Sequence, residues 1–251
     1  MKKVINKYGL IGFPLTHSFS KQFFTDKFKR EKIDATYENF EIEEISRLTE
    51  IVKANPLLSG LNVTIPYKEQ VIPLLDELDK AAEKVGAVNT LKITRMAQKI
   101  HLKGYNTDTL GFEVSLKPLL GEHHKRALIL GTGGASKAIK YVLNKLGIEY
   151  ISASIEELKE NEIRYEEIDE KIMSERLLII NATPLGTFPK TDTFPPIPYK
   201  FISDKHLLYD LVYNPEMTRF MEMGKMKGAA VKNGLEMLEQ QALKSYEIWI
   251  R

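Results

Sequence analysis

Cysteine is absent from the 251 residues, which excludes a disulfide framework, a thiolate nucleophile and thiolate metal ligation. A charge excess of either sign is also missing. Lys and Arg number 36 against 34 Asp and Glu, a formal net charge of +2, so nothing in the balance points to nucleic acid. Apolar runs such as "ALIL" and "LLII" fall far short of the roughly 20 residues that a helix needs to span a bilayer. The opening "MKKVINKYGLIGFPLTHS" carries too brief an apolar stretch for a signal peptide, and a cytoplasmic location with no membrane partner is expected. The five histidines show no metal-ligand spacing, and neither an HExxH nor a paired-carboxylate pattern occurs, so no metal is expected. What is there is ample apolar material: 43% hydrophobic residues suffice for one large core or two modest ones.

Strand and helix patterns alternate. "YGLIG", "ATYENFEI" and "LSGLNVTI" read as strands, separated by helical segments with Phe19, Phe23, Phe24 and Phe28 on one face and Ile45, Leu48, Ile51 and Val52 on another. "KEQVIPLLDELDKAAEKVG" reads as helical with a kink or fresh start at Pro73, and "AVNTLKIT" and "KIHLKGYN" as an antiparallel pair. The rhythm restarts near Gly104 with a helix over Thr107–Leu120, then strand, glycine turn and helix in "ALILGTGGASKAIKYVLNKLG". The reading is α/β with two domains: residues 1–103 with 234–251, and 104–233 between them. The last helix is amphipathic, with Leu235, Leu238, Ala242 and Tyr246 on one side. The span Glu156–Glu175 is too short for a full crossover helix, and proline-rich Thr187–Lys200 is expected to be an irregular surface loop.

Several polar constellations stand out. An apolar run enters Gly131-Thr132-Gly133-Gly134-Ala135 and a helix leaves it, so backbone amides at a helix N-terminus can face a pyrophosphate. Ser136 stands at the third small position of the fingerprint, and a tight turn without function remains open. Glu156 lies at about the distance for an acid that takes the ribose hydroxyl, yet Glu156–Lys171 holds eight acidic against three basic residues, as a solvated face does. Asn106, Thr107 and Asp108 are helix-capping types at the domain junction. Ser18, Ser20 and Lys21 beside free helix amides suit a carboxylate, with His17 alongside. Lys68 follows the strand-ending "NVTIP"; locally it also fits a solvated lysine that opens a helix with Glu69.

The ordered set "GLIGFPLTHSFS", "NVTIPYK", "VGAVNTL", "GYNTDTLGF", "GTGGAS", "NATPLG", "LVYNP" and "NGLEMLEQQA" resembles the shikimate dehydrogenase family over nearly the whole chain. The resemblance implies an N-terminal α/β substrate domain completed by the C-terminal helix, a Rossmann-type dinucleotide-binding domain, and reversible NADPH-dependent reduction of 3-dehydroshikimate to shikimate, a step toward chorismate and the aromatic amino acids. It implies Lys68 and Asp108 as the catalytic pair and Ser18, Ser20, Thr64, Asn89, Tyr213 and Gln241 as substrate-binding residues. For the cofactor it implies Gly131, Thr132, Gly133, Gly134 and Ala135, with Asn181, Thr183 and Gly234 flanking the nicotinamide.

The sequence departs from the family pattern where an "NRT"-like basic clamp would hold the 2'-phosphate of NADP: Ser154, Ile155 and Glu156 stand there. Either other donors such as Lys159 replace the clamp, or NAD is accepted. A quinate/shikimate dehydrogenase using NAD and a non-catalytic nucleotide-binding scaffold are the alternative functions. The protein is expected to act as a monomer or homodimer.

Overall fold

A computed structural model describes residues 6–15, 19–97 and 99–251. The chain divides into two compact units, one holding the residues up to Thr107 together with Ala242–Arg251, the other Asp108–Gln241. Among the described residues, no helix is long and apolar enough to cross a membrane.

The first unit runs β1 (Asn6–Gly12), α1 (Phe19–Arg30), β2 (Ala35–Glu41), α2 (Leu48–Ala54), β3 (Leu58–Val63), α3 (Tyr67–Gln70), β4 (Glu77–Leu78), α4 (Lys80–Val85), β5 (Thr90–Met96) and β6 (Lys99–Tyr105). Its sheet has the order β2-β1-β3-β5-β6-β4. The pairs β2/β1 and β1/β3 are parallel, while β3/β5 and β5/β6 are antiparallel.

The second unit continues with α5 (Asp108–Leu116), β7 (Arg126–Leu130), α6 (Gly134–Lys145), β8 (Glu149–Ala153), β9 (Glu162–Ile163), α7 (Glu170–Glu175), β10 (Leu178–Asn181), β11 (Leu207–Asp210), α8 (Arg219–Met226) and β12 (Ala230–Lys232). All pairs in its sheet, ordered β12-β11-β10-β7-β8-β9, are parallel. Strands β7, β10 and β11 are near-continuous apolar runs because helices cover both faces of such a sheet. Leu128, Ile129, Ile179 and Ile180 are fully buried in consequence. The last helix, α9 (Leu235–Ile250), begins in the second unit and ends in the first.

Some elements differ from the sequence expectation. The helix expected after Lys68 breaks up into α3, a short 3-10 turn at Ile72–Leu74, β4 and α4. Pro73 has no N–H to continue a helix, and edge pairing competes: Asp76 N donates to Leu102 O at 3.0 Å while Asp76 Oδ2 accepts from Leu102 N at 2.8 Å. Asp79 then caps α4, accepting from Ala82 N at 2.8 Å. In α9 the buried residues are Met237, Gln241, Ala242, Ser245, Ile248 and Trp249, whereas Leu235 is exposed. The face is rotated from the one that hydrophobicity alone selects, because two of its buried positions are polar. Residues 104–107 fall in the first unit because Gly104 and Tyr105 pair with Leu91 and Thr90 in its sheet. The span Glu156–Glu175 holds only β9, a 3-10 turn and the six-residue α7.

The C-terminal part of α9 packs on the first unit through Ala242, Ile248 and above all Trp249. Trp249 stacks on Tyr8 with centroids 4.8 Å apart and planes at 15°, and its Nε1 donates to Leu91 O at 2.9 Å. Gly60 of β3 lies flat against the indole, where a Cβ would overlap the ring. Replacing Trp249 by Ala is expected to cost about 3–5 kcal/mol of stability, the usual range for losing a buried large aromatic. Denaturant unfolding checks it; a loss under about 1 kcal/mol would mean that the helix end is not part of the core.

Candidate active site

In the first unit, β3 ends one residue before Thr64, whose N donates to Ile11 O at 2.9 Å and whose carbonyl accepts from Tyr67 N at 2.9 Å. Two anchors then hold α3. The buried Tyr67 hydroxyl donates to Ile42 O at 2.6 Å, and Lys68 O accepts from Val88 N at 2.7 Å. The second anchor draws half-buried Lys68 beside the segment that carries Asn89.

Asn89 is buried and its amide orientation is fixed. Its Oδ1 accepts from Thr107 N at 2.7 Å and from Thr90 Oγ1 at 3.2 Å, and its Nδ2 donates to Thr107 Oγ1 at 3.0 Å. The hydroxyls of Thr90 and Thr107 lie 2.7 and 3.2 Å from Ser245 Oγ. Asn62 Nδ2 donates to Ser245 Oγ at 2.9 Å, while its Oδ1 accepts from the Tyr37 hydroxyl at 2.8 Å. Burial pushes the Tyr37 phenol up, and a hydrogen bond from Ser20 offsets part of that. The first unit thus ties Asn89 and, through Tyr37, Ser20 to one polar frame, with Thr64 and Lys68 on the adjoining β3–α3 segment. Ser18 and His17 lie outside the described residues.

The second unit holds Asp108, Tyr213 and Gln241. Asp108 is the first residue of α5 and is buried; Gln241 is buried with Nε2 donating to Leu238 O at 2.9 Å; Tyr213 is partly exposed. Gly234 is buried immediately ahead of α9.

A cavity of about 870 Å³ opens at the strand ends of this unit, lined by residues 131–133, 153–156, 164–166, 182–185 and Pro196. The chain runs from β7 through β8 to β9 on one side of the sheet and then crosses to β10 on the other. The cavity therefore sits at the switch point where nucleotides bind in such sheets. Gly131 has φ +96°, a conformation that side chains disfavour, and a Cβ there would come within 2.8 Å of Thr183 Cγ2. At Gly133 and Gly134 a Cβ would meet nothing within 4 Å, so the turn offers bare backbone at the start of α6. These residues fit a dinucleotide. Gly134 and Ala135 begin α6 without belonging to the cavity lining, and Lys159 is not in the lining either.

Asn181 shapes the opposite wall. Its Oδ1 accepts from Thr183 N at 3.0 Å and Thr183 Oγ1 at 2.6 Å, and its Nδ2 donates to Asp210 Oδ1 at 2.9 Å. Asp210 also accepts from Thr218 Oγ1 at 2.6 Å and Val212 N at 3.0 Å. Sequence reasoning passed over Asp210, Thr218, Asn62, Thr90, Ser245 and Arg164. The available signal was a polar residue inside an otherwise apolar strand, as in "LSGLNVTI" and "HLLYDLVYN".

Residues 10–91 match the model described as the shikimate dehydrogenase substrate binding domain. The shikimate dehydrogenase (NADP(+)) of Methanosphaera stadtmanae is 38% identical, covering 96% of this chain and 90% of that protein. The chain belongs to the shikimate dehydrogenase family. The crystal structure of shikimate dehydrogenase from Aquifex aeolicus superposes with a TM-score of 0.86 at 34% identity, covering 99% of this chain and 94% of that one. That of shikimate 5-dehydrogenase from Listeria monocytogenes, in complex with shikimate and NAD, gives a TM-score of 0.84 at 28% identity, covering 98% and 92%. The α/β reading, with a substrate domain and a Rossmann-type domain, agrees with these relatives.

The fully buried Asp210 carboxyl has its pKa pushed up to about 6 by burial, against the lowering effect of its three hydrogen bonds. A raised carboxyl binds its proton more tightly in the folded state. Its contribution to stability is therefore complete below about pH 4, the unfolded value, and is lost as pH rises through about 6. Asn is isosteric and carries no charge to desolvate. Asp210→Asn is expected to gain stability relative to the parent as pH is raised from 4 to 7, read as the difference in unfolding midpoint; a difference independent of pH would contradict this.

Proposed function

We propose that the protein catalyses the reversible NADPH-dependent reduction of 3-dehydroshikimate to shikimate. The observation that carries this reading is the joint presence of Lys68, Asp108 and an open Gly131–Gly134 turn in a chain whose 38%-identical relative, matched over 96% of its length, is a shikimate dehydrogenase (NADP(+)). When bound, the dinucleotide supplies or accepts the hydride at the substrate carbon.

Gly131–Ala135 are assigned to the pyrophosphate, with Asn181, Thr183 and Gly234 at the nicotinamide. Ser18, Ser20, Thr64, Asn89, Tyr213 and Gln241 are assigned to the carboxylate and hydroxyls of the substrate. Asn89 is pre-organised for this, because its amide cannot turn without breaking its bonds to Thr107. As a ketone is reduced, negative charge grows on its oxygen and a proton must reach it. Lys68 is assigned to deliver that proton and to accept it in the reverse direction, with Asp108 orienting the ammonium and the hydroxyl. The two anchors on α3 support this role, since a proton donor must be held in place.

The wild-type protein is expected to turn over shikimate in preference to quinate. Replacing Lys68 by Ala is expected to lower turnover about 100-fold to 10,000-fold across a pH series, with a smaller change in the KM for shikimate. A half-exposed lysine has little to do with folding, so the variant should remain native by circular dichroism. Steady-state kinetics at saturating substrate decide the matter; near-parental turnover in the folded variant would remove Lys68 from the mechanism.

A further inference from the structure

We propose that Arg164 reads the 2'-position of the cofactor's adenosine ribose, taking the 2'-phosphate of NADP at the place where the residues after β8 supply no cation. The proposal rests on the nucleotide-binding reading above. Strand β9 is the device that makes it work. It is only two residues long and adds in parallel to the edge of β8, with Ser152 opposite Glu162 and Ala153 opposite Ile163. The ladder extends one step further, with Ser154 N donating to Ile163 O at 2.9 Å. Arg164 therefore emerges beside Ser154, level with the end of the second strand of the Rossmann-type sheet. That strand end is the position facing the adenosine ribose in such folds.

Three further observations favour the assignment. Arg164 is the one cationic residue in the cavity lining, which otherwise carries the carboxylates of Glu156 and Glu166. Its guanidinium is held rather than loose: Nη1 donates to Glu156 O at 2.6 Å. A guanidinium carries five donors in a planar fork, more than this one bond uses, and such a fork suits a phosphate. The wall between the glycine turn and this corner is also fixed, since Thr132 Oγ1 lies 3.3 Å from Ser154 Oγ, which accepts from Glu156 N at 3.1 Å. Glu156 and Glu166 set the limit of the effect, because two carboxylates in the same cavity repel an added phosphate. Discrimination between the two cofactors should be moderate and should rest on Arg164 alone.

The test is calorimetric titration of the full-length protein and its Arg164→Ala variant with NADP+, NAD+, adenosine 2',5'-bisphosphate and 5'-AMP. Arg164 is exposed and its removal should leave the fold intact, which thermal melting verifies. The variant is expected to lose at least about tenfold in affinity for both 2'-phosphorylated ligands, about 1.4 kcal/mol, while NAD+ and 5'-AMP bind as before. Arg164→Lys should recover part of the loss, since the charge returns without the fork. An equal loss for all four ligands, or no loss for NADP+, would overturn the proposal and leave the nucleotide reading standing. A parent protein that binds none of the four would overturn both.

Discussion

An unpaired amide in a hydrophobic core costs several times what a paired one contributes, and the first unit is built around meeting that constraint at Asn62. This residue sits in the apolar strand β3, is almost fully buried, and engages Tyr37, Thr90 and Ser245 at once. Those partners come from β2, β5 and α9. The same hydroxyls then carry the network to Thr107 and Asn89. A buried network of this kind is useful only when every member is satisfied, so the register of β3 against β5, the seat of α9 and the orientation of Asn89 are specified together. Apolar packing around Trp249 fixes how close the helix comes, and the hydroxyl of Ser245 fixes its rotation.

The second unit repeats the principle with a charge. Asp210, at the end of β11, is buried beyond the reach of water and held by donors from Asn181, Val212 and Thr218. The carboxylate pins the Asn181 side chain, and Asn181 in turn folds the 182–185 segment into the cavity wall. Two adjacent strand ends, β10 and β11, are thereby locked to each other just where a parallel sheet leaves its carboxyl ends open to a ligand. In each unit a residue assigned to a ligand, Asn89 in the first and Asn181 in the second, is bonded into a buried polar hub.

That layering explains what could be read from the sequence. Alternating apolar strands, the glycine turn and the restart of the βα rhythm are local patterns, and they conveyed the α/β class and the corner proposed for the nucleotide. The polar hubs were not legible, because Asn62, Ser245 and Asp210 look like defects in an apolar pattern until the elements that satisfy them are brought together. For the same reason the buried face of α9 keeps Ala242 but turns away from Leu235 toward Gln241 and Ser245, a polar residue counting against burial in any hydrophobic count. The segment after Lys68 reads as helical with a kink or fresh start at Pro73, and what that reading lacks is the pairing of Asp76 with Leu102, which sets β4 between α3 and α4. Arg164 was hidden inside an acidic run, and only the pairing of β9 with β8 reveals where it emerges.

The buried hydroxyl and amide frame of the first unit holds the proposed substrate residue Asn89 in its orientation. Ser245→Ala addresses it most directly, because one oxygen is removed from the middle of the frame with almost no change in volume. A stability loss of about 1–3 kcal/mol is expected, the cost of leaving buried partners short of a hydrogen bond. A raised KM for shikimate with unchanged affinity for the dinucleotide is expected with it. Stability within about 0.5 kcal/mol of the parent, together with an unaltered KM for shikimate, would contradict it.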